Sequence, residues 1–213
     1  MSEVVHLIHL SDPGRAPELA AGLRDLVGPR VPRSLITTTL PGGIDAGDLI
    51  VRLGFADDSE RRAVEKTVDR WLPEPFVERV ETAVFTGAAK RRTAPAAAGS
   101  GPPARIYRAL LVAVDPETDP AQVARFEAET AAMPEYIHTI GASQLSRVHS
   151  GTGWTHVWEQ EFADLSGLTG PYMTHPYHWA HIDRWFDPER GTKIVTRLCH
   201  SFGTLDAALL PPR

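Results

Sequence analysis

The sequence predicts an α+β protein: tandem ferredoxin-like repeats, each ordered β-α-β-β-α-β, packed sheet to sheet as a pseudo-dimeric α/β barrel. Three observations lead there. A Pro/Gly/Ala-rich stretch at 87–105 divides the 213 residues almost in half. The same order of apolar runs and amphipathic segments recurs on both sides of it, and short motifs recur in matching places. The expected division is an N-terminal repeat over 1–88, a flexible linker over 89–104 and a C-terminal repeat over 105–213 carrying the active pocket.

Each half opens with a β-branched, apolar run, residues 4–10 and 106–114, ending at Asp12-Pro13-Gly14 and Asp115-Pro116-Glu117. Helical spacing follows, with Leu19, Leu23 and Leu26 in the first half and Val123, Phe126 and Thr130 in the second. Second strands are expected over 34–40 and 137–148, third strands over 48–55 and 154–162. The third strands end alike, in Gly54-Phe55-Ala56-Asp57 and Glu161-Phe162-Ala163-Asp164. The second helical regions share Val68-Asp69-Arg70-Trp71 and Ile182-Asp183-Arg184-Trp185, and final strands are expected over 77–85 and 193–202.

A split βαβ sheet carries its helices on one face and leaves the other bare. Two such faces packed together solve that problem inside one chain. The barrel is therefore expected to be completed within the monomer, with further self-association an additional possibility.

Composition narrows the function classes. Apolar residues make up 42% and charged residues 23%, with a formal charge of -5, a pI near 6.0 and a mean hydropathy of -0.20. These values fit a folded soluble domain and offer no broad cationic surface for nucleic acid. No apolar run reaches the roughly 18–20 residues that span a bilayer, and the first residues lack the basic start of a signal peptide. A cytoplasmic protein with no membrane partner is expected. Cys199 is the single cysteine, so neither a disulfide nor a cysteine zinc site can form within the chain.

Titratable rings gather in the last third: His156, His175, His178, His181 and His200, among Trp154, Trp158, Tyr172, Tyr177, Trp179 and Trp185. Strand alternation is expected to put Trp154, His156, Trp158 and Gln160 on one face, toward the helices. Pro176 suits the first turn of a helix capped by Thr174 or His175, which places His178 early in it and Tyr172 in the loop before. An imidazole can take a proton near neutral pH and a phenol can stabilise an oxyanion, so His178 and Tyr172 form the candidate catalytic pair. His156, Trp154, Trp158, Trp179, His175 and His181 are the expected substrate-binding lining. The three-residue spacing of His175, His178 and His181 also invites a metal reading, but it drifts about 60° per step round a helix, so no metal is expected. A purely structural use of the segment, with Pro176 as cap and Trp179 and Trp185 as anchors, is the alternative.

The motif Gly153-Trp154-Thr155-His156, then Phe162, Tyr172 and His175-Pro176-Tyr177-His178 resembles the stress-responsive A/B barrel (Dabb) family of the dimeric α/β barrel superfamily, including its polyketide cyclases. The resemblance runs from residue 106 to about 202. It implies that Tyr172 and His178 hold the catalytic positions, that His156 is a further pocket histidine, and that a polyketide-like β-carbonyl compound is the small-molecule substrate. It also implies a cofactor-independent cyclase, lyase or isomerase; a non-catalytic binding or stress-response protein and a cofactor-free monooxygenase are the alternatives. The family's first-strand histidine is replaced by Tyr107-Arg108 in the C-terminal half, while His6 stands at that place in the N-terminal half. Aligning the repeats sets Val64 against His178 and Leu49 against His156, so the first repeat is expected to be scaffold and the second to hold the pocket.

Overall fold

The computed structural model describes residues 2–72, 75–87, 90–91, 105–149 and 151–210. In the first repeat, β1 (Ser2–Leu10), α1 (Ala16–Val27), β2 (Arg33–Thr38), β3 (Leu49–Phe55), α2 (Asp58–Trp71) and β4 (Val77–Phe85) follow the expected order. Asp57 caps α2 by accepting from the amides of Ser59 and Glu60, which would otherwise be orphaned at the helix start. The four strands make an antiparallel sheet in the order β2-β3-β1-β4.

A two-residue strand, β5 (Lys90–Arg91), pairs with the second sheet. The expected linker thus contains a short stretch of ladder, and the rest of 89–104 lies outside the described residues. The second repeat continues with β6 (Arg105–Val114), α3 (Pro120–Tyr136), β7 (Ile140–Arg147), β8 (His156–Phe162), a segmented helical cover and β9 (Val195–Leu205), in the sheet order β5-β7-β8-β6-β9.

The cover departs from α2, its counterpart. A short α-turn at Leu165–Gly167 runs into a π-turn at Leu168–Tyr172, and after a break at His175 a second π-turn spans His178–Ile182 before a 3₁₀ turn at Asp183–Trp185. Pro171 and Pro176 cannot donate to a continuous ladder, and π-turns often mark functional sites.

The two bare faces meet in a barrel interior formed by Val5, Leu7, Ile50 and Phe85 of the first repeat against Tyr107, Leu111, Val157 and Cys199 of the second. Helices pack outside, α1 and α2 over the first sheet and α3 with the cover over the second. The seams obey a pseudo-twofold pattern. Residues just beyond β2 bridge β9 through Thr39–Gly203 and Ile44–His200, and β4 meets the chain just beyond β7 through Phe85–Val148.

Register corrects the alignment of the first strands. Both carry a bulge, between His9 and Leu10 in β1 and between Ala113 and Val114 in β6. Matching the bulges sets His6 level with Leu110, and Val4 level with Arg108. Leu53 and Val84 flank Val4 where Gln160 and Phe202 flank Arg108. The first repeat is therefore apolar where the second is polar.

Candidate active site

The helix-facing side of β6, β8 and β9 presents Arg108, Gln160 and His200 beneath the cover. Arg108 donates from Nε to His200 Nε2 at 2.8 Å and from Nη1 to Gln160 Oε1 at 2.8 Å. Since His200 Nε2 accepts, its ring proton belongs on Nδ1. The guanidinium lies over the Trp158 ring at 4.6 Å and stands 5.4 Å from the centre of the Tyr172 ring. Trp158 is itself fixed by Nε1–H donation to Ser143 Oγ.

From the cover, Tyr172 and His178 come down onto this floor. Their rings meet edge to face with centres 4.8 Å apart, and Tyr172 meets Phe162 in the same way at 5.3 Å. Tyr172 is 1% exposed and its hydroxyl has no hydrogen-bond partner among the described residues. A buried hydroxyl left so costs roughly 1–3 kcal/mol, so it needs a reason to persist. His178 Nδ1 stands 3.2 Å from Asp183 Oδ1, close enough for an ion pair but out of line for a hydrogen bond.

Burial sets the charge states. It pushes the Tyr172 phenol up to about 12 and the His178 imidazole down to about 4, the latter helped by the positive fields of Arg108 and Arg190. His200 falls to about 2, through burial and then the Arg108 charge. At neutral pH the cluster therefore holds a neutral phenol as donor, two neutral imidazoles as acceptors and one guanidinium cation.

The remaining expected lining residues are placed elsewhere. His156 faces the helices but lies four residues along β8 from Gln160, roughly 13 Å at the usual rise of a strand. There its Nε2 contacts Glu127 Oε1 at 2.9 Å and its ring meets Phe126 edge-on. Trp154 is on the opposite side of the sheet, within the barrel, where Nε1 donates to Glu81 Oε2 at 3.0 Å. The alternation expected from 154 fails because β8 begins only at His156, after Gly153 at φ +84° has turned the chain.

Trp179 points outward, 48% exposed. His175 Nδ1 accepts the Tyr177 amide at 3.1 Å, so it caps the turn begun by Pro176. His181 stacks on Tyr177 at 4.5 Å and approaches Glu129. The three histidines of the run thus do not converge on one point: His178 alone meets Tyr172. Sequence reasoning missed His200, Gln160 as a polar anchor and Arg108, although a lone arginine inside the apolar run of β6 was the available signal.

Comparisons with known proteins agree with this architecture. No curated protein sequence matches the chain. Among solved structures, an anthrone oxidase-like protein superposes with a TM-score of 0.67 at 12% identity, covering 95% of this chain and 90% of its own. A monooxygenase candidate from Fusobacterium nucleatum gives 0.63 at 10% identity, over 96% and 92%. A chlorite dismutase from Candidatus Nitrospira defluvii gives 0.52 at 10% identity, over 98% and 92%. At these identities the likeness establishes the fold, both repeats included, and not the reaction. The family model described as Stress responsive A/B Barrel Domain matches residues 106–198, and the C-terminal repeat, which holds Arg108, Gln160, Tyr172 and His178, is therefore a Dabb domain.

Proposed function

We propose that the C-terminal repeat is a cofactor-independent acid–base catalyst for a small β-carbonyl compound, a cyclase or related lyase or isomerase. The observation that carries this reading is the Tyr172 hydroxyl, buried and unpartnered beside a His178 ring that is neutral and free to accept a proton. A proton between two carbonyls is acidic enough for a weak buried base, so His178 takes it and Tyr172 donates a hydrogen bond to the enolate oxygen that forms. The enolate carbon then attacks a second carbonyl of the same molecule. Protonation of the new alkoxide by His178 returns the base to its starting state.

Tyr172 and His178 touch each other, so the substrate meets their polar ends rather than lying between the rings. Entry requires the cover to shift. Its π-turns and prolines, with Gly170 facing open space, make it the least regular helical element over either sheet.

The experiment is solvent-deuterium exchange at the central carbon of benzoylacetone, followed by NMR with the intact chain. Acceleration over buffer that disappears in Tyr172→Phe and His178→Ala supports the reading. A second reading has the same enolate react with dioxygen, as the names of two structural relatives suggest for those proteins. Oxygen uptake coupled to substrate loss would select it.

A further inference from the structure

Arg108 brings an unbalanced charge into the site. Among the described residues two arginines are buried, Arg52 and Arg108, at 0% and 5% exposure. Arg52 is matched by two carboxylates, Glu3 and Glu159. Among the described residues, no carboxylate comes within ion-pair distance of Arg108. Its Nε and Nη1 are used on the neutral acceptors His200 and Gln160, and Nη2 has no hydrogen-bond partner among the described residues. A guanidinium stays protonated in proteins, so this leaves a full positive charge in a region of low dielectric, an arrangement that is costly until an anion arrives. The Tyr172 ring centre stands 5.4 Å from it, and the unpartnered Tyr172 hydroxyl supplies one further donor.

We propose that Arg108, with Tyr172, is the receptor for a carboxylate on the ligand, so that the pocket takes a small aromatic or β-keto acid as its anion. This rests on the reading that the pocket receives a small molecule, and it names the class of that molecule. The guanidinium fork, already oriented by His200 and Gln160 and backed by the Trp158 face, offers its remaining N–H groups to a planar two-oxygen acceptor.

The test compares benzoate with its neutral isostere benzamide by ligand-observed NMR titration of the intact chain. Benzoate should bind at least about tenfold more tightly, as expected when a charge-assisted pair replaces a neutral hydrogen bond. Arg108→Gln should remove the preference and Tyr172→Phe should keep most of it. Equal affinity for the two probes, or binding of neither, overturns the proposal, and this wild-type comparison decides even if Arg108→Gln fails to fold. A preserved benzoate preference without deuterium exchange in benzoylacetone would overturn the acid–base reading alone. Exchange without the preference would overturn the carboxylate receptor alone.

Discussion

Arg52 of the first repeat and Glu159 of the second meet inside the barrel, Nε to Oε1 at 3.0 Å, with neither side chain exposed. Around them Tyr107 donates to Glu159 at 2.6 Å, Gln144 donates to both Glu3 and Glu159, and Arg33 reaches Glu3. The two arginines balance the two glutamates. The Arg52 and Arg33 charges and the Gln144 hydrogen bond hold the Glu3 carboxyl below its usual range against the opposing effect of burial. Joining strands from both repeats, this network specifies how the halves dock.

Breaking it from one side should be costly. Arg52→Met leaves Glu3 and Glu159 buried around a missing cation and should lower stability by about 3–5 kcal/mol in urea unfolding. Arg52→Met with Glu159→Met keeps charge balance, because Glu3 retains Arg33, and should recover most of that loss. A double variant as unstable as the single one would contradict the pairing.

Stability should fall steeply with acid. His6 and His178 are held down to about 4 and His200 to about 2, mainly by burial, whereas in the unfolded chain each protonates near 6.5. Their folded values are depressed, so the unfolded state binds more protons as pH drops below 6.5. The stability these groups contribute is complete above that pH and is lost toward pH 4 for His6 and His178 and toward pH 2 for His200. Three such groups set an upper slope of about 4 kcal/mol per pH unit. Denaturant titrations at pH 7 and pH 5 check this, and equal stability at the two would refute it.

Activity should separate the residues of the cluster from those outside it. Tyr172→Phe should reduce kcat by about 10²-fold and His178→Ala by about 10²–10⁴-fold, the usual range for a lost oxyanion donor and a lost base. His156→Ala, placed beside Phe126 and Glu127, should leave kcat within about threefold because it lies well beyond the 2.6–3.2 Å reach of a catalytic hydrogen bond from Tyr172 and His178. Steady-state kinetics on the compound that shows exchange makes the comparison.

The seam beside the site should tolerate no added methyl group. A Cβ at Gly43 would lie 2.4 Å from the His200 carbonyl oxygen and 2.5 Å from Ala46 Cβ, where the 40–48 loop of the first repeat crosses β9. Gly43→Ala should cost about 1–3 kcal/mol in thermal unfolding. An unchanged melting temperature would show that the loop yields freely.

The doubled architecture was legible because apolar alternation, turn residues and the shared Asp-Arg-Trp motif all recur in one order, and the strands fall within a few residues of their expected places. What was hidden depended on geometry at single residues. The bulges in β1 and β6 move His6 level with Leu110, and the positive φ of Gly153 sends Trp154 into the barrel while His156 and Trp158 face the helices. A one-residue change of phase reverses every side chain beyond it, and composition does not report phase. The closeness of Tyr172 and His178 was legible because prolines and aromatic residues mark their segment. Arg108 and His200 lie on strands far apart in sequence and converge only through the β6–β9 ladder.

Solvent-deuterium incorporation into benzoylacetone tests the central claim most directly, because it reads proton removal without needing the natural substrate. Wild-type protein should accelerate exchange over buffer, with Tyr172→Phe and His178→Ala near the buffer rate while remaining folded. Exchange at the parent rate in both variants would contradict the account.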